Sequence, residues 1–308
     1  MAVENRTVTV FVLQSFTQDP WLQAALFCLF FTLFEVALVG NSLIIAAIRC
    51  SSHLHTPMYF FLVNLAVLDM VCTSSILPKV LQSLVADSTI SFGGCLSQMF
   101  FFTWSLSSEL LLFTAMAYDR YLAICWPLQY GMLMRGRVCI ALAAFVWSMG
   151  AFNASLLTGL VLQLNFCGPN LIAHFFCEIP PLLLLSCSST FLNDVMTVTA
   201  DIFLSGLNFL LTTVSYGCII ASILHVHSAK GKRRTFSTCS SHLIVVTLYY
   251  STVLYTYVRP ALGSTRLPDK LVTVLYTIVT PTLNPLIYTL RNKKFKAALR
   301  KLFPSSPK

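Results

Sequence analysis

Charge is scarce in this chain: of 308 residues only 10% are Asp, Glu, Lys or Arg, while 56% are hydrophobic. That balance excludes an ordinary soluble enzyme, whose solvated surface takes about a quarter of all residues as charged groups. Also missing are a phosphate-cradling glycine loop, a nucleophile elbow, a zinc-protease helix, internal repeats and low-complexity tracts. No charged leader with a short apolar core and cleavage site precedes the first apolar run. That run is therefore expected to serve as an uncleaved signal anchor.

What the chain has in abundance is long apolar runs. A bilayer core takes about 20 mostly apolar residues per helix. Seven runs of that order lie near residues 22–48, 58–80, 93–118, 138–162, 195–224, 236–258 and 271–290. Lipid offers the backbone no hydrogen bonds, so these runs are expected to be helices. The fold class is an all-α membrane protein, a seven-transmembrane helix bundle forming one domain over 1–308, with 1–21 outside and 291–308 as a cytoplasmic tail. Pro78, Pro281 and Pro285 fall inside spans and mark candidate kinks. From Lys294 to Phe303, apolar Phe295, Leu299, Leu302 and Phe303 share one face among basic residues, as in a helix lying on a membrane surface.

Orientation follows from the bases, which collect on cytoplasmic loops. One side of the predicted topology holds fifteen Lys and Arg residues, among them Arg120, Arg135, Arg137, Lys230 to Arg234 and the tail; the other holds Arg6, Lys79, Arg259, Arg266 and Lys270. This puts the N-terminus outside, the C-terminus in the cytoplasm and the chain in the plasma membrane. The net charge of +9 is then a matter of topology and anionic inner-leaflet lipid, with no nucleic acid among the partners. Asn5-Arg6-Thr7 is a glycosylation triplet on the outer side; Asn153-Ala154-Ser155 lies within the fourth span and should be silent.

Eleven cysteines divide by compartment. Cys28, Cys50, Cys72, Cys125, Cys139, Cys218 and Cys239 lie in spans or face the cytosol and should be thiols. Cys95, Cys167, Cys177 and Cys187 face outward and can pair in three ways, which spacing does not decide. His174 and Cys177 could hold a soft metal, but a disulfide at Cys177 would consume that ligand.

Acids within spans are functional candidates because hydrocarbon penalises them. Asp69 and Glu109 could share a sodium ion or a proton with Asn41 and Asn284, or could simply be protonated and hydrogen-bonded. Glu35, with no partner suggested by the sequence, is expected to be a neutral packing residue. Phe102, Thr103, Leu106 and Ser107 share one face of span three, Asp201, Ser205 and Asn208 one face of span five, and Tyr250, Val253, Leu254 and Tyr257 one face of span six. Together they would line a mainly apolar outer cavity, although helix packing alone also explains such faces.

These motifs converge on a family. The chain resembles rhodopsin-like G-protein-coupled receptors in Gly40-Asn41, Leu65-Ala-Val-Leu-Asp69, Asp119-Arg120-Tyr121, Trp147, Ser215-Tyr216 and Asn284-Pro285-Leu-Ile-Tyr288. Within that group it is similar to odorant receptors, through Leu54-His-Thr-Pro-Met-Tyr59, Met116-Ala-Tyr-Asp-Arg-Tyr-Leu-Ala-Ile-Cys125, Phe236-Ser-Thr-Cys-Ser-Ser-His242 and Pro281-Thr-Leu-Asn-Pro285. The resemblance covers roughly residues 16–303. It implies a receptor with no enzymatic activity and no cofactor, whose partners are a small-molecule odorant, a stimulatory, olfactory-type heterotrimeric G protein acting through adenylyl cyclase, and membrane lipid. It implies Cys95–Cys177 and Cys167–Cys187 disulfides. It makes Arg120, restrained by Asp119, the G-protein contact, with Tyr121, Tyr216, His242, Asn284, Pro285 and Tyr288 as switch residues.

Two departures stand out. Tyr249-Tyr250-Ser251 replaces the family's usual Phe-Tyr-Gly, removing a flexible glycine, and Asp201 stands where a small apolar residue is usual. Asp201 is expected to face the cavity and to favour ligands with a hydrogen-bond donor or a cationic amine. The rival class, a secondary transporter using the intramembrane acids, lacks the matched half-repeats and broken spans that such proteins carry. A retinal protein is excluded because 271–290 contains no lysine for a Schiff base.

Overall fold

The computed structural model describes residues 8–167, 170–225, 228, 239–240, 242–252, 273–291 and 293–302. Among these, five helices are long and apolar enough to cross a membrane. Three are α1 (Pro20–Arg49), α2 (Pro57–Val85) and α3 (Phe92–Cys125). After a short inner turn, α4 (Tyr130–Leu133), comes the fourth, α5 (Gly136–Leu162). The fifth is the continuous stretch Phe191–Leu224. Two later pieces are also helical, 242–252 within the sixth expected span and Thr280–Arg291 within the seventh. Within those two expected spans, 236–238, 241, 253–258 and 271–272 lie outside the described residues, and so does Asn5; Val253, Leu254 and Tyr257 are therefore among the residues not described.

Local chemistry sets the helix starts. Asp19 caps α1, its Oδ1 accepting from the Trp21 N–H at 2.9 Å, and Pro20 enters the first turn, where a missing N–H costs nothing. Ser91 caps α3 through the Gly94 N–H at 3.1 Å. Several Thr and Ser hydroxyls inside the spans bond backwards to their own helix, as Thr32 does to Cys28 O at 2.7 Å and Thr73 to Asp69 O at 2.7 Å, and are satisfied there.

The fifth crossing is not uniform. Its outer part, α7 (Phe191–Asp201), passes through a wide π turn over Ile202–Leu207 before α8 (Asn208–Leu224) resumes. Each π turn holds more residues than an α turn and rotates the residues after it. The straight stripe expected for Asp201, Ser205 and Asn208 is therefore broken. Asp201 and Ser205 are half-buried, whereas Asn208 is buried against α3.

The face expected to lie outside carries a feature absent from the all-α expectation, and outer and inner denote that expected orientation. β1 (Val10–Leu13) pairs antiparallel with β2 (Thr89–Ser91) and parallel with β3 (Leu171–Ile172), so the N-terminal segment joins the two outer loops. Phe11 anchors it, fully buried against Phe92 and Phe166. Beyond β3, a short helix, α6 (Ile179–Leu183), closes the long outer loop.

At the inner end, the basic helix Lys293–Leu302 does more than lie on a surface. Its Phe295 is fully buried in the same cluster as Ile48 and Leu54, and the helix is docked onto α1 and the Thr280–Arg291 helix. Between α3 and α5 the backbones approach closely at Gly150, where an added Cβ would lie 2.1 Å from Ser108 Oγ and 3.0 Å from the Trp104 carbonyl. Trp104 Nε1 donates to Trp147 O at 3.0 Å and Trp147 Nε1 to Asn64 Oδ1 at 2.9 Å, which knits α2, α3 and α5 together.

Candidate functional site

The candidate residues fall at three levels along α3. The outer level is built by the long loop. Cys95 is bonded to Cys177 and Cys167 to Cys187. The first bond draws the loop onto α3, and Gln98 holds it there, accepting from the Cys177 N–H at 2.8 Å while donating to Ser75 O at 2.9 Å. With Cys177 spent, the thiolate needed for a His174–Cys177 metal pair is gone.

The loop then inserts Phe175 and Phe176. Phe176 meets Phe102 edge-on at 5.1 Å, and both are buried. Leu106 touches this aromatic cluster and also the inner core cluster that contains Tyr250, Phe113 and Tyr249. Phe102, Leu106 and Tyr250 are thus joined by a continuous apolar path, and Thr103 is half-buried beside them on α3. Ser107 is not on that path in the manner expected: its Oγ accepts from Asn153 Nδ2 of α5 at 3.0 Å. Asn208 is likewise engaged, its Oδ1 accepting from Thr114 Oγ1 at 2.6 Å and its Nδ2 donating to Leu204 O at 2.7 Å.

The middle level is polar and closed. Asn284 Nδ2 donates to both Asp69 carboxylate oxygens, at 3.1 and 3.0 Å, and all these atoms belong to buried residues. Asn41 Nδ2 donates to Ala37 O and, across to the Thr280–Arg291 helix, to Pro281 O at 3.3 Å. Glu109 Oε1, Asn41 Oδ1 and Asn284 Oδ1 are buried oxygens without a hydrogen-bond partner among the described residues. Such a set of hard oxygen donors fits a proton or a hard cation and is unsuited to a soft metal. Glu35 does not join it. Expected as a packing residue, it is exposed on the outward face of α1.

The inner level centres on Asp119. Its Oδ2 accepts from Arg120 Nε at 3.0 Å and Nη2 at 2.5 Å, and its Oδ1 accepts from the Tyr130 hydroxyl at 2.7 Å. Asp119 is fully buried whereas the Arg120 side chain keeps 12% exposure, so the arginine is the member within reach of a partner. Burial, reinforced by the Asp119 carboxylate, pushes the Tyr130 hydroxyl above its ordinary pKa and keeps it a donor. Tyr216 and His242 form a hydrogen bond through the Tyr hydroxyl and His Nδ1, tying α8 to the 242–252 helix. Tyr121 accepts from Trp126 Nε1 at 3.0 Å. Pro285 and Tyr288 lie in the Thr280–Arg291 helix, but their side chains are outside the described residues.

Sequence reasoning missed Tyr130, Gln98, Phe175 and Phe176. The aromatic pair left at most a weak signal, since the same loop also holds Leu171, Ile172, Ile179 and the run Leu182 to Leu185; Tyr130 reaches Asp119 because the chain turns back after α3, which no periodicity reports.

Comparison with known proteins bears on these three levels. A family model described as "Olfactory receptor" matches residues 27–305. The human protein named Olfactory receptor 13A1 is 57% identical over 304 residues, covering 98% of this chain and 93% of its own. Human Olfactory receptor 13G1 is 52% identical over 302 residues, 98% of each chain. Mouse Olfactory receptor 5AP2 is 45% identical over 296 residues, 96% of this chain and 93% of its own.

Proposed function

The chain belongs to the olfactory receptor family, a multi-pass membrane receptor and not an enzyme, and on that footing we propose how it works. It binds small, mostly apolar volatile molecules in an outer cavity between spans three, five and six, and it activates a stimulatory, olfactory-type G protein to raise cyclic AMP. The architecture is one seven-span bundle with its N-terminus outside, Asn5 glycosylated, and the Lys293–Leu302 helix at the inner membrane face. Support for the last two spans comes from their apolar runs and from the helical pieces at 242–252 and Thr280–Arg291.

The observation that carries the reading is the continuity of α3. Leu106 sits beneath the disulfide-held aromatics at one end and Arg120 is held by Asp119 at the other, about 21 Å apart along a rigid helix. A ligand works only by binding one state of such a bundle better than the other. In the resting state Asp119 and Tyr130 retain Arg120, and Tyr216 and His242 hold spans five and six together. An agonist that rearranges the packing around Phe102, Leu106 and Tyr250 shifts span six and frees Arg120 for the G protein. The middle cluster of Asp69, Glu109, Asn41 and Asn284 holds one sodium ion or one proton, and so favours one state. Val253, Leu254 and Tyr257 complete the cavity from span six.

The test is a panel of small odorants on cells expressing the receptor, read as cyclic AMP. An agonist response that Arg120→Ala abolishes at equal surface expression supports the reading. A full response from Arg120→Ala overturns it.

A further inference from the structure

Glu35 is a carboxylic acid at the centre of α1, and none of the described residues covers it. Trp21 and Arg49, near the two ends of α1, are each fourteen positions away, so Glu35 falls at the middle of the helix and, for a helix that spans, near the hydrocarbon midplane. It is exposed, and it makes no hydrogen bond or ion pair with the described residues. The other polar groups on the same face are satisfied within the chain: Thr32 donates to Cys28 O, and Ser42 to Met70 Sδ at 3.7 Å. The buried side of α1, Ala37, Asn41, Ile44 and Ala47, is a different face and is committed to the bundle.

The exposed residues also have a pattern. Ala25, Cys28, Thr32, Glu35, Val39 and Ser42 are spaced alternately by three and four positions, and all six are exposed. That is the spacing of the contact seam of a two-helix coiled coil. Most of its members are small, which lets a neighbouring backbone approach closely in lipid.

We propose that the outward face of α1 is a docking seam for a transmembrane helix of a partner protein that carries a lysine or arginine at the matching depth. An acid in hydrocarbon is stabilised by an opposite charge, and the seam gives that charge a register. A second copy of this chain fits less well, because a twofold seam would set Glu35 against Glu35.

The test uses the full receptor reconstituted in phosphatidylcholine vesicles. The probe is a dye-labelled peptide of about 24 Leu and Ala residues, long enough to span, with one central Lys; a twin carries Leu there. Energy transfer to a labelled receptor should show the Lys peptide associating at about tenfold lower peptide-to-lipid ratio than its twin. Glu35→Leu and Glu35→Gln should both lose that preference while keeping wild-type thermal unfolding in detergent. If Glu35→Leu folds poorly, Glu35→Gln, which keeps the side-chain shape, carries the same decision. Equal association of the two peptides, or a Lys preference that survives both substitutions, overturns the proposal. So does receptor–receptor energy transfer that falls on Glu35→Leu without any Lys preference, since the seam would then belong to a second copy.

Discussion

The two oxygens of Asp119 are divided between two donors: Arg120 takes Oδ2, and the Tyr130 hydroxyl, eleven residues on, takes Oδ1 at 2.7 Å. A carboxylate held at both oxygens has one orientation available, and Arg120 is restrained by an acceptor that is itself fixed. Removing the hydroxyl should therefore loosen the arginine as well as the loop. Tyr130→Phe is expected to raise ligand-independent cyclic AMP severalfold, in line with the ~1.5–3 kcal/mol of a hydrogen bond to a charged group. The rise should vanish when Asp119→Asn is already present. A Tyr130→Phe receptor with wild-type basal signal at equal surface expression would count against this arrangement.

Asp69 and Asn284 offer a charge-swap test across spans two and seven. Asn284→Asp removes the donor of both bonds seen at 3.0 and 3.1 Å and sets a second acid against Asp69, and Asp69→Asn leaves the Asn284 amide one carbonyl oxygen in place of two carboxylate oxygens. A hydrogen bond to a charged group contributes about 1.5–3 kcal/mol, enough on its loss to deplete folded receptor at the surface. The double exchange restores one acid facing one amide and should recover much of the surface expression that each single change loses. Additive losses in the double variant would mean that the two side chains do not act as a pair.

Gly150 tests the contact between α3 and α5. A methyl there meets Ser108 Oγ at 2.1 Å, which can rotate away, and the Trp104 carbonyl at 3.0 Å, which cannot. Gly150→Ala should lower stability by about 1–3 kcal/mol, the usual penalty for overpacking. Gly159→Ala, on the same helix with nothing within 4 Å, should be neutral or slightly stabilising. Thermal unfolding in detergent compares the two, and equal shifts would remove the steric argument.

Asp201 sits half-buried where α7 enters the π turn. Asp201→Asn is expected to weaken the potency of amine and hydrogen-bond-donor odorants about tenfold, the equivalent of ~1.4 kcal/mol, and to leave apolar ligands unchanged. Dose–response curves for cyclic AMP decide it. Unchanged potency for every donor ligand would place Asp201 outside the binding cavity.

The class of the protein was legible in local sequence. Apolar length specifies crossings wherever it occurs, and the run from Met116 to Cys125 marks the inner end of α3 by itself. Which way each span faces was not legible. In water an amphipathic stripe reports the buried side of a helix, but in lipid both sides of a span are apolar and the stripe disappears. Glu35 therefore read as packing and proved exposed, Ser107 read as ligand-facing and proved bonded to Asn153, and Asn208 was drawn to Thr114 by a π turn that the sequence does not announce. The β1 strand that joins both loops likewise depended on how the helices associate, whereas the grouping of Asp69 with Asn284 was expected from the cost of acids in hydrocarbon and the pairing of the four loop cysteines was expected from the resemblance alone. Sequence alone thus determined a helical membrane receptor and its inner signature. Only the tertiary structure decided which side chains face one another, because rotation about each helix axis is fixed by its neighbours and not by its own composition.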